Sequence, residues 1–203
     1  TKMADSLGVD GIMIVTPYYS KPSQHGILRH FEEISKITDL PIMAYNIPGR
    51  TSTLIELETL HTLVNDIGIQ SIKDAVGDFE FSKKQLELLK DKADIYSGND
   101  NQTYDFVING GVGVVSVASH VVGDEISEMI SFAKDNDLEK AEEINMQLSN
   151  LFESIFEEPS PGPIKKILSE SWEEVGDPLL PITSVTPELA NKIRGFYKEI
   201  KEI

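Results

Sequence analysis

The chain has 203 residues, 40% of them hydrophobic, with a formal charge of -16 at neutral pH; that length can bury a sizeable core, as one ordinary domain or as a piece of a larger one. The acidic balance disfavours nucleic acid and anionic membrane as partners, because phosphate binding needs concentrated lysine and arginine. With no cysteine, disulfides and thiolate metal sites are excluded, and with no apolar run of membrane-spanning length and no signal-peptide pattern, a cytoplasmic protein is expected.

Thr1 to Leu7 reads as the tail of a helix capped by Gly8. Gly11 to Val15 is a continuous apolar run ended by Thr16-Pro17, the pattern of a strand buried on both faces. A loop from Tyr18 to Gly26 follows, then a helical stripe of Ile27, Phe31, Ile34 and Ile37, and a second strand from Ile42 to Tyr45. Leu57, Leu60 and Val64 mark a helix, Ile69 to Ile72 a strand, and Leu86 with Leu89 a helix whose expected N-cap is Ser82. Ile95 to Ser97 is a weaker strand. A short helix through Tyr104, Val107 and Ile108 leads by Gly110, Gly111 and Gly113 into a strand from Val114 to Ala118. Five strands alternating with helices predict a parallel α/β sheet.

Beyond Ser119 only helical patterns remain. Ala141, Ile144, Leu148, Leu151 and Ile155 form one long stripe, stopped by Pro159-Ser160-Pro161-Gly162-Pro163. Ile164 to Trp172 predicts another helix, and Thr186-Pro187 the start of a last one carrying Leu189, Ile193, Phe196 and Ile200.

The chemistry is expected at the C-terminal ends of the strands. Tyr18 and Tyr19, Tyr45 to Arg50, Lys73, and Gly98 to Asp100 all fall there. Lys73 stands out because lysine is almost never fully buried unless its charge is paired or removed; beside another cation such as Arg50 its amine would become a nucleophile toward carbonyl carbon. A tyrosine relays protons and an arginine holds a carboxylate, so the set suits a keto-acid substrate. Plainer readings apply to each residue singly: a strand-end lysine reaching water, a core tyrosine, a surface arginine. The glycines Gly110, Gly111 and Gly113 run from helix into strand, the reverse of a phosphate loop, and read as a cap and tight turn. His25, His30, His61 and His120 show no metal spacing, and no nucleophile triad is recognisable; His120, at a strand end, reads as structural or site-lining.

Four motifs carry a family resemblance: Val15-Thr16-Pro17-Tyr18-Tyr19 with Lys21-Pro22-Ser23-Gln24, Tyr45-Asn46-Ile47-Pro48-Gly49-Arg50-Thr51, Ile72-Lys73-Asp74-Ala75, and Ser97-Gly98-Asn99-Asp100. In order and spacing the chain resembles the dihydrodipicolinate synthase family of the pyruvate-dependent Schiff-base aldolases. The resemblance implies a Schiff base between Lys73 and pyruvate, with Tyr45 relaying protons. It implies Arg50 as the group that binds the carboxylate of aspartate semialdehyde, Gly98 and Val115 as site-lining positions, and Tyr19 as a residue entering a neighbouring subunit's site in a homodimer or homotetramer. No metal and no cofactor is implied. The corresponding function is a lyase of lysine and diaminopimelate biosynthesis.

The family fold is an eight-stranded (β/α) barrel with a C-terminal helical region. By resemblance this chain starts at the helix before the fourth strand, with residues 1–123 expected to form a partial barrel and 124–203 the last barrel helix and the helical region. The Gly-Thr-Thr-Gly-Glu stretch that binds the pyruvate carboxylate has no counterpart here, so the chain alone is expected to be inactive. Ser160 and Gly162 stand where the family usually has Asn and a larger apolar residue. Two other readings stay open: a sister aldolase such as N-acetylneuraminate lyase or a 2-keto-3-deoxy acid aldolase, which the Arg50 context argues against, and a non-catalytic remnant acting as an assembly partner.

Overall fold

A computed structural model describes residues 1–201 and divides the chain into two compact units, one over Thr1–Val115 and the other from Ser116 onward. Among the described residues no helix is long and apolar enough to cross a membrane.

The first unit alternates strand and helix. After α1 (Lys2–Ser6) come β1 (Ile12–Val15), α2 (Gln24–Ser35), β2 (Ile42–Asn46), the short α3 (Pro48–Thr51), α4 (Leu57–Asn65), β3 (Ser71–Asp74), α5 (Phe79–Leu88), β4 (Asp94–Ser97), a 3-10 turn (Asp100–Gln102), α6 (Thr103–Ile108) and β5 (Gly113–Val114). The five strands pair in parallel in chain order. This is the α/β arrangement of successive units of a (β/α) barrel.

Side-chain alternation gives the sheet two faces. Ile14, Ala44, Ile72 and Ile95 share one register row, and the last three are buried against Ile27 and Phe31 of α2, Leu60 and Leu63 of α4, Leu86 of α5 and Phe106 of α6. The next row along, Val15, Tyr45, Lys73 and Tyr96, lies on the opposite face.

The second unit is helical: α7 (Ser119–Lys134, kinked at Val122), α8 (Leu138–Ser154), α9 (Gly162–Ser171) and α10 (Pro187–Lys201). Met129, Leu148, Phe152, Ile167 and Ile193 fill its interior. Glu158 accepts the Thr186 N–H, and Leu189 N–H donates to the Thr186 hydroxyl, so Thr186 caps α10 as its sequence predicts.

Several boundaries differ from the sequence expectation. Helix α2 starts at Gln24, inside the expected loop, because the Ser23 hydroxyl caps it by accepting the Gly26 N–H. Strand β3 lies two residues later than its apolar run: Gln70 is spent on the Ile42 N–H, and the ladder continues through Lys73 and Asp74. Helix α5 is capped by Asp78 rather than Ser82, since Asp78 Oδ1 accepts the Glu80 and Phe81 N–H groups. The last strand stops at Val114, where Val115 to Ala118 are expected to extend it; the Ser116 hydroxyl accepts the Ser119 N–H and starts α7 instead.

The glycine turn between α6 and β5 is as expected: Gly110 has φ +100, and a Cβ at Gly111 would lie 2.8 Å from the Phe106 carbonyl oxygen. Since that neighbour is backbone, Gly111→Ala should destabilise the first unit by about 1–3 kcal/mol. Gly49→Ala, with nothing within 4 Å, should stay within about 0.5 kcal/mol of the parent. Urea unfolding followed by circular dichroism separates the two; equal midpoints would contradict the packing described.

Candidate active site

The strand-end row brings together two of the residues singled out from the sequence, Tyr45 and Lys73. On β2 and β3, Tyr45 and Lys73 are register partners, and the Lys73 amine lies 4.3 Å from the centre of the Tyr45 ring. On the other side Lys73 pairs with Tyr96 of β4, which in turn faces Gly113. Tyr96 was missed as a site residue, although period-two alternation from Ile95 would have placed it beside Lys73.

Gly98 is shaped by the lysine. A Cβ there would lie 2.7 Å from Ala75 Cβ, 3.0 Å from the Asp74 carbonyl oxygen and 3.1 Å from Lys73 Cε. Only glycine fits under this side chain. Val115 follows β5, and its N–H donates to the Ser97 carbonyl at 2.9 Å.

Two hydrogen-bonded braces set Tyr45 and Arg50. Thr16, fully buried, sends both its N–H and its hydroxyl to the Tyr45 carbonyl. Buried Asn46 spans the loop after β2 by donating to the Ile55 carbonyl and accepting the Ile55 N–H, both at 3.0 Å, while Gln24 of α2 binds Leu54 and Glu56. The clamped loop presents Arg50, exposed, in the last turn of α3.

Burial lowers the Lys73 amine below the usual lysine value, against the opposing pull of Asp100. Burial likewise raises the Tyr45 phenol, with Arg50 acting in the opposite sense. Arg50 is therefore felt at Tyr45, and desolvation rather than a neighbouring cation lowers the Lys73 amine. A less basic amine thus lies over the ring of a tyrosine whose phenol burial makes less acidic, a pairing with the chemistry of a nucleophile and a proton donor.

Tyr18 and Tyr19 are not brought into this row. They project from the loop after β1, 66% and 95% exposed, Tyr19 with φ +66. His120 is an exposed residue in the first turn of α7.

Residues 1–200 match the Dihydrodipicolinate synthetase family, and the chain belongs to it. It is 42% identical over 188 residues to 4-hydroxy-tetrahydrodipicolinate synthase 1 of Halalkalibacterium halodurans, covering 93% of this chain and 64% of that protein. A crystal structure of dihydrodipicolinate synthase from Bacillus anthracis superposes with a TM-score of 0.92 at 38% identity, over 97% of this chain and 68% of the other. The Acinetobacter baumannii dihydrodipicolinate synthase, solved in complex with pyruvate, gives 0.95 at 32% identity, over 100% of this chain and 70% of the other. The chain thus spans about two thirds of the length of these relatives.

The lowered Lys73 value has a signed consequence. Between that value and 10.5 the unfolded chain binds more protons than the folded one, so this group makes stability rise with pH across the window. The stability of the parent minus that of Lys73→Met should therefore increase from pH 7 to pH 10 in urea titrations. A difference that fell would contradict a desolvated amine.

Proposed function

We propose that this protein acts as a dihydrodipicolinate synthase, condensing pyruvate with aspartate semialdehyde in the cytoplasmic pathway to diaminopimelate and lysine. One observation carries the reading: the half-buried Lys73 amine, lowered in basicity, rests on a tyrosine in the strand-end row of a parallel α/β sheet. Family membership and the pyruvate complex of the Acinetobacter baumannii relative support it.

The neutral Lys73 amine attacks C2 of pyruvate, and the resulting carbinolamine loses water to give the imine. Tyr45, whose hydroxyl burial keeps protonated, supplies the proton to the departing oxygen. Loss of a proton from the methyl carbon gives the enamine, which attacks the aldehyde carbon of the second substrate and forms the new C–C bond. The amino group of that substrate then adds to the imine carbon and displaces Lys73, closing the ring and regenerating the free amine.

Arg50, exposed at the end of α3, receives the carboxylate of aspartate semialdehyde. Gly98 and Val115 line the pyruvate side. Tyr19, on a loop that leaves two adjacent tyrosines exposed, serves the site of a second subunit in a homodimer or homotetramer.

Steady-state assays on the full-length product of the gene test this function. Condensation should require both substrates and vanish in Lys73→Ala. Arg50→Ala should raise the KM for aspartate semialdehyde about ten-fold or more, the loss of a charge-assisted contact worth about 1.5–3 kcal/mol, with a much smaller change for pyruvate. Turnover of N-acetylneuraminate or a 2-keto-3-deoxy acid in place of the condensation would reject the assignment.

A further inference from the structure

Asp74, the residue after the reacting lysine, is 1% exposed. Strand alternation sends its side chain to the helix-covered face while Lys73 stays on the other. Both carboxylate oxygens are used there. Oδ1 accepts the Val76 N–H at 2.9 Å, and Oδ2 accepts the Ser82 hydroxyl at 2.8 Å and the Gln85 amide at 3.2 Å. Ser82 and Gln85 are fully buried and stand three residues apart on one face of α5. The Asp74 carbonyl accepts the Gly98 N–H at 2.6 Å, and Gly98 is the surface that the Lys73 stem crosses.

Burying a carboxylate is costly, and burial does raise Asp74 above the usual carboxylate range, with Asp78 adding to the shift and the three donors opposing it. A strand end needing only to be packed would be better served by an apolar side chain. What the polar cluster adds is direction: it ties β3 to α5, and through the Asp74 backbone to the start of the Gly98 segment.

We propose that Asp74, anchored by Ser82 and Gln85, is a positioning residue that holds the β3 strand end so that the Lys73 amine keeps its half-buried pose over Tyr45 beside Gly98. This rests on the reading of Lys73 as the reacting amine. Asp74 acts by geometry and not by charge, since its carboxylate lies on the opposite face and the carboxylate felt at Lys73 is that of Asp100. Asparagine can take over the role. Its carbonyl can accept the Val76 N–H, and its amide can donate to Gln85 Oε1, which is buried without a partner; alanine can do neither.

Reductive methylation with formaldehyde and cyanoborohydride, followed by peptide mapping, reads the pH at which Lys73 reacts at half its limiting rate. Asp74→Ala should move that midpoint up by about half a pH unit or more, toward an ordinary lysine, and Ser82→Ala should move it the same way by less. Asp74→Asn should stay within about 0.2 pH units of the parent. If Asp74→Ala does not fold, Ser82→Ala decides, and an unchanged midpoint there overturns the proposal. A midpoint in Asp74→Asn displaced as far as in Asp74→Ala would make the effect one of charge and overturn it equally. Because no pyruvate is used, the outcome is separate from the proposed function, which fails instead if pyruvate does not trap on Lys73.

Discussion

The half-burial of one amine is the constraint on which the strand-end row of the first unit turns. Lys73 reaches its pose because β3 places alternate residues on opposite faces, Ile72 and Asp74 toward the helices and Lys73 toward the open row. Water would otherwise solvate the ammonium at little cost, so the pose depends on what crowds it: the Tyr45 ring on one side and, along the stem, a glycine with no Cβ to interfere. The same crowding lowers the amine's proton affinity despite Asp100 nearby. Position and lowered basicity thus have a single cause.

Supporting polar residues lie one layer behind. Thr16 fixes the Tyr45 carbonyl, Asn46 closes the loop that bears Arg50, and Asp74 joins the lysine strand to α5. Each is buried and hydrogen-bonded, as polar groups in a core must be. Their common effect is to make loops after strands, normally the mobile part of an α/β sheet, hold side chains in fixed directions.

Much of this was legible in the sequence, for identifiable reasons. The apolar run at Ile42–Ala44 marks a strand with buried Ile42 and Ala44, and the stripe of Ile27 and Phe31 marks a helix covering it; the run at Ile12–Val15, expected to be buried on both faces, is instead the first strand in the sheet order, with none of its residues fully buried and Met13 49% exposed. Lys73 and Tyr45 were visible because polar groups at the ends of such runs need an explanation. Other features depend on contacts between residues far apart in the chain. Ser82 carries a capping residue's chemistry but spends it on Asp74, a partner eight residues back that no local rule points to. Gly98 is required by the path of the lysine stem, and only the fold reveals that path. Tyr96 was hidden by a short strand, and β5 was overestimated because its apolar run includes a serine that starts a helix.

The central claim is that the Lys73 amine is the carbonyl nucleophile, and trapping tests it most directly. Borohydride reduction in the presence of pyruvate, with tandem mass spectrometry of the digested protein, should find the reduced adduct on the peptide containing Lys73 and on no other lysine. An adduct on a different lysine, or none that depends on pyruvate, would contradict the account.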